Sequence, residues 1–178
     1  MKVKHTLGVL GLILTCGSRA ESMTVLPMNL VQMAQHSGKI IHGKVISVRE
    51  ETHKTLGISI SVINLQTEEC LKGDVAGQVE FRQVNGMGLP MYRQGEEIVI
   101  FLYPESRAGL TSPVGADQGL FKVIADQEGK RIRNLYPHLF GNEALKSTAP
   151  GKPQKTLQLD VLKARIRAAA ASQNRTLR

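Results

Sequence analysis

Between Lys39 and Gly73 the chain carries two long apolar-patterned runs, Ile40 to Val48 and Leu56 to Leu71, separated by the polar break Glu50 to Thr55 and closed by Lys72-Gly73. Alternation with a period of two residues marks a strand with one buried face. Ile41, Gly43 and Val45 share a face before the apolar positions shift to Ile46 and Val48. In the second run Ile58, Ile60 and Val62 alternate until Ile63 and Leu65 take over. Each change of parity predicts a β-bulge, which re-aims the side chains of a strand too long to serve one flat sheet. The two runs are therefore expected to be antiparallel strands that begin a small closed sheet, because closure needs such corners.

The remaining elements follow from the same patterns. Leu30, Met33 and Ala34 recur at helical spacing behind Asn29, predicting a short helix within Met28 to Ser37 with Asn29 as its cap. Val79-Glu80-Phe81-Arg82 alternates as a third strand. Ile98 to Tyr103 is apolar throughout, as expected of a central strand covered on both faces. Gln118 to Ile124 and Arg131 to Leu135 read as a hairpin turned at Gln127 to Lys130. Residues 147–156 are rich in Ser, Pro, Gly and Lys and read as a linker. Beyond it Leu157, Val161, Leu162, Ile166 and Ala169 give an amphipathic helix over 157–174.

The chain opens with a basic Met-Lys-Val-Lys-His, and Leu7 to Leu14 is uncharged and apolar. Eight such residues are too few to span a bilayer but suit the core of a signal peptide. Cleavage after Ala20 is expected, which makes 1–20 the signal and 21–146 one domain; the alternative is a lipoprotein box ending in Cys16 as the acylated residue. The location read from this is periplasmic or secreted. After removal of 1–20, Cys70 is the single cysteine, and its place at a strand end suits a small buried hydrophobe.

The formal charge of +8 suggests nucleic acid until it is partitioned. Residues 21–149 carry 13 basic and 14 acidic side chains, so the excess lies in the two ends. There is no Trp, and Phe81, Phe101 and Phe121 each sit inside an apolar run, leaving no stacking platform for bases. Nucleic-acid binding is not expected.

No G-x-S-x-G, H-E-x-x-H or Walker lysine is present, and no catalytic residue is assigned. Glu50-Glu51, Glu68-Glu69 and Glu96-Glu97 are adjacent pairs, whose members point to opposite faces of a strand. His36, His42, His53 and His138 show no ligand spacing, so neither a metal nor a cofactor is expected. The candidate contact surface is a Gly-rich connection, with Asn85, Gly86, Met87 and Gly88 leading to Pro90, together with the loop Ser106 to Gln118 and Gln118 in particular. Lys163, Arg165 and Arg167 either form a solvated charged face on a C-terminal helix that docks to the barrel, or lie against anionic lipid or an acidic partner.

Ser37 to Val45 (SGKIIHGKV), Glu69 to Gly73 (ECLKG), Gly95 to Leu102 (GEEIVIFL) and Val114 to Val123 (VGADQGLFKV) together resemble a widespread set of uncharacterised exported bacterial proteins, over roughly Leu26 to Ala169. That set is similar to OB-fold barrels of the netrin and tissue metalloprotease-inhibitor type. The resemblance implies a mainly β chain: a small, closed, antiparallel, OB-like barrel of five or six strands, with a short N-terminal helix and a C-terminal amphipathic helix. The N-terminal cysteine that chelates zinc in those inhibitors has no counterpart near Glu21. The function expected is a non-catalytic binding module whose partner is another exported protein, such as a protease that it assists or inhibits. The alternatives are a small metal-dependent hydrolase and a structural lipoprotein, with membrane contact only through a lipidated Cys16 or the C-terminal helix.

Overall fold

Two 14-residue strands, β1 (Lys39–Thr52) and β2 (Ser59–Lys72), pair antiparallel along their full length and form the spine of the protein. The computed structural model describes residues 26–86, 88–127, 129–134, 136, 139, 145–146 and 155–176; the expected signal segment, Cys16 and most of the expected linker lie outside them. Three register shifts interrupt the β1–β2 ladder. Ile46 is the extra residue on β1, between the pairs Val45↔Leu65 and Ser47↔Asn64, where the sequence changes parity. The second expected bulge, at Val62-Ile63, is absent: the register runs unbroken there. Both residues are fully buried, so the change of parity reflects cover on both faces. The bulges on β2 fall instead at Glu68 and Leu71, each skipped between consecutive pairs.

Helix α1 (Leu30–His36) precedes β1 and starts on a capping box: Asn29 Oδ1 accepts from the Gln32 N–H, and Gln32 Oε1 accepts from the Asn29 N–H, both at 2.9 Å. Its last turn is closed by the Lys72 ammonium, which donates to the Ala34 carbonyl at 2.6 Å. After β2 come β3 (Gln78–Val84), β4 (Glu97–Leu102), a short 3-10 turn (Ala116–Gly119), β5 (Leu120–Asp126) and β6 (Gly129–Arg133). A two-residue β7 (Leu145–Lys146) pairs with β8 (Lys155–Gln158), and α2 (Leu159–Thr176) follows. The C-terminal helix begins two residues later than expected, because Leu157 and Gln158 pair with Ile132 and Arg131 of β6.

The order across the sheet is β3-β2-β1-β4-β5-β6-β8, with β7 adding to the β8 edge. A closed barrel of five or six strands is therefore incorrect. Closure requires the strand after β4 to return to β3, whereas β5 pairs with β4 over three residue pairs and then continues with β6. The outer edge of β3 receives one backbone hydrogen bond from the segment that follows β4, Thr111 N–H to the Arg82 carbonyl at 2.8 Å, where a barrel has a ladder. The protein is a mainly β, open antiparallel sheet with two helices among the described residues.

Each face of the coiled sheet buries its own core. One holds Ile41, Ile63, Leu65, Phe81, Tyr92, Ile98, Ile100 and Leu120; the other packs Ile40, Val99, Phe101, Phe121 and Ile132 against Met33 and Ala34 of α1 and Leu162 and Ile166 of α2. β4 is the partition between them, its alternate residues feeding opposite cores, as a central strand with both faces covered must do. The Glu69 carboxylate fixes α2 to β2 by receiving Lys163 Nζ at 2.9 Å and the Arg167 guanidinium. Two of the three cations expected to share one face of this helix are thus paired with the sheet.

Gly43 sits where β1 meets the Glu68 bulge, and a Cβ there would stand 2.4 Å from the Gln66 carbonyl oxygen. Gly43→Ala is expected to lower the free energy of unfolding by about 1 to 3 kcal/mol, the usual cost of overpacking. Gly86→Ala, where a Cβ meets nothing within 4 Å, is expected to change it by less than about 1 kcal/mol. Urea titrations of the two variants check both values.

Candidate functional site

The unclosed side of the sheet leaves a cleft of about 370 Å³ between the connection that follows β3 and the β5–β6 layer. Pro90 and Met91 form one wall, and Leu120 and Lys122 of β5 with Arg133 and Asn134 form the other. Asp117 of the 3-10 turn completes the lining. Met91 is 86% exposed, the most solvent-exposed large apolar side chain among the described residues.

Buried and part-buried polar contacts hold both walls. The Tyr92 hydroxyl donates to Gln83 Oε1 at 3.0 Å, and Gln83 Nε2 donates to the Pro90 carbonyl at 3.1 Å, which clamps the loop exit to β3. Tyr92 also meets Phe81 edge to face at 5.6 Å. Across the cleft, Asn134 Nδ2 donates to the Gln118 and Leu120 carbonyls at 2.9 and 2.8 Å. Lys122 Nζ reaches Glu96 at 2.6 Å, and the Tyr136 hydroxyl donates to Asp117 at 2.6 Å. That last bond, with burial and the Asp117 charge adding to it, pushes the Tyr136 phenol up to about 12.

The residues expected from the sequence divide unevenly around this cleft. Asn85 opens the loop but turns away into the sheet: its Oδ1 accepts from Ser61 Oγ at 2.6 Å and its Nδ2 donates to Ser59 Oγ at 2.8 Å. Gly86 is open to solvent, Gly88 takes the turn at φ +82°, and Met87 lies outside the described residues. Gln118 is fully buried and touches no open surface. Its Oε1 accepts from the Met28 N–H at 3.0 Å and its Nε2 donates to the Leu26 carbonyl at 3.0 Å, tying the segment before α1 to the body. It is a structural clamp and not a contact residue. The cleft residues Met91, Leu120, Lys122, Arg133 and Asn134 had no signal in sequence beyond lying in or beside strands.

A second constellation lies on the β1–β4 side. His42 is 2% exposed, and its Nε2 is 2.8 Å from Glu97 Oε1 and 3.5 Å from Glu68 Oε2. Lys130 Nζ stands 2.8 Å from the same Glu97 oxygen and 3.8 Å from Glu68 Oε2. Burial alone raises the Glu97 carboxyl, but the hydrogen bonds from Lys130 and His42 outweigh it and hold the group below the ordinary carboxylate range. His42 Nδ1 is buried with no hydrogen-bond partner. No spacing in the sequence announces this group, because its members come from four strands and Glu68 reaches His42 through a bulge. Of the other histidines, His53 is satisfied at both nitrogens by the Leu56 N–H and the Ala108 carbonyl, and His138 lies outside the described residues.

The chain matches no known protein family, no curated protein and no solved structure.

Replacing Gln118 by Leu removes the partners of the Met28 N–H and the Leu26 carbonyl at a part-buried site. The expected cost is about 1 to 3 kcal/mol of stability. It is read from the shift of the urea midpoint, together with faster proteolytic cleavage before α1.

Proposed function

We propose that this chain is an exported, non-catalytic binding module, and that the cleft beside Met91 receives an apolar segment of another exported protein. The observation that carries the reading is Met91 itself, a large apolar side chain in water at the rim of an apolar cleft. A lone exposed apolar side chain is ordinary, but this one adjoins an apolar cleft, and the two together offer a surface that a partner can cover. The clamp made by Gln83 and Tyr92 keeps the loop exit in place before binding, which lowers the ordering cost of association. Lys122, Arg133 and Asp117 form a mixed-charge rim that suits a polypeptide. Lys122 is held by Glu96 and Asp117 by Tyr136, so these rim charges are positioned before a partner arrives. Export rests on the apolar run Leu7 to Leu14 behind its basic start.

A photo-crosslinking residue placed at position 91 of the full chain, expressed in an exporting host, is expected to give one discrete protein adduct. The same residue at position 56, the site of another exposed apolar side chain, is expected to give none. Met91→Asp should reduce binding of the identified partner at least tenfold, a loss of about 1.4 kcal/mol or more. Equal adducts from both positions, or none from either, overturn the assignment of the surface. The mass of the mature N-terminus separates cleavage after Ala20 from lipidation of Cys16.

A further inference from the structure

We propose that His42, Glu68 and Glu97 form a binding site for a divalent transition-metal ion of the zinc class, which enters by displacing the Lys130 ammonium. One donor atom from each residue lies within 4.8 Å of the other two. Bonds of 2.0–2.2 Å in tetrahedral geometry set donor atoms about 3.4 Å apart. The His42–Glu97 and His42–Glu68 separations, 2.8 and 3.5 Å, bracket that value. Glu68, 40% exposed, has room to adjust.

Two features beyond proximity point to a ligand. The first is the bulge. His42 stands opposite Glu69 in the ladder, yet the carboxylate that reaches it belongs to Glu68, the extra residue, while Glu69 serves α2. Bulges that re-aim one side chain are concentrated beside functional sites, and this one requires a glycine at position 43. The second is that the group already holds a cation. Lys130, a half-exposed side chain from β6, places its ammonium between the two carboxylates, and two negative charges face this one positive charge. A divalent ion balances both.

The donor set fixes the chemical class. One imidazole with two carboxylates suits zinc and its neighbours, whereas calcium and magnesium favour all-oxygen shells. Coordination through Nε2 places the imidazole proton on Nδ1, which has no acceptor. Such supporting partners contribute about 10- to 100-fold to affinity, so this site is weaker by that order than one fully supported.

Calorimetry and thermal unfolding of the untagged full chain with zinc sulfate test the proposal, with calcium and magnesium in parallel. Expected are saturable uptake of one equivalent, a rise in Tm, at least tenfold weaker binding in Glu68→Gln, and tighter binding in Lys130→Met, from which the competing ammonium is gone. Both altered side chains are substantially exposed, and circular dichroism verifies their fold. Absence of saturable zinc uptake in both the parent and Lys130→Met overturns the site. So does zinc binding that is unchanged in Glu68→Gln, which assigns the ion to other histidines. Calcium binding as tight as zinc overturns the class.

Discussion

The structure depends on one close approach. At Gly43 the backbone of β1 comes so near Gln66 and Thr67 of β2 that no side chain fits between them. That contact lets β2 carry an extra residue at Glu68 without parting from β1. A bulge of this kind bends its strand and sharpens the local twist. The same bend delivers a carboxylate to His42 and leaves Glu69 free to receive Lys163 and Arg167 of α2. Shape, helix docking and the buried polar cluster thus share one cause.

The local elements were legible because each has a local reason. Asn29 with Gln32 caps α1, Ile98 to Leu102 carries apolar residues to both faces of β4, and the parity change at Ile46 is a real bulge. What failed was closure, which is not a local property. The turn at Gln127 to Lys130 announces the pairing of β5 with β6, but nothing in Lys130 to Arg133 says whether that strand goes on to β3 or to β8. Parity misled at Val62-Ile63 for a related reason: a strand buried on both faces loses its alternation without any bulge. The Glu68 bulge gave no such signal, because its neighbours are polar.

The candidate surface was half legible. The glycine-rich connection after β3 does border the cleft, but through Pro90 and Met91, while Asn85 is consumed in holding the loop to β2. Gln118 was expected at the end of the Ser106 to Gln118 contact loop; its amide proves to serve the backbone on either side of Pro27. A glutamine in sequence does not reveal whether its amide faces solvent or the main chain. The cluster around His42 was illegible for a different reason, since it joins residues from β1, β2, β4 and β6 that only the finished sheet brings together.

An open sheet keeps a strand edge that a barrel lacks, and here that edge is β3. Its outward face carries Glu80 and Arg82, ion-paired to each other, with Arg49 reaching Glu80 from β1. A strand from a second copy arriving at this edge must fit its own side chains among fixed, hydrated charges of both signs. Edge strands guarded in this way resist stacking into extended sheets. The chain can therefore leave its sheet unclosed, with a cleft at the gap, without offering the exposed ladder as a template for aggregation.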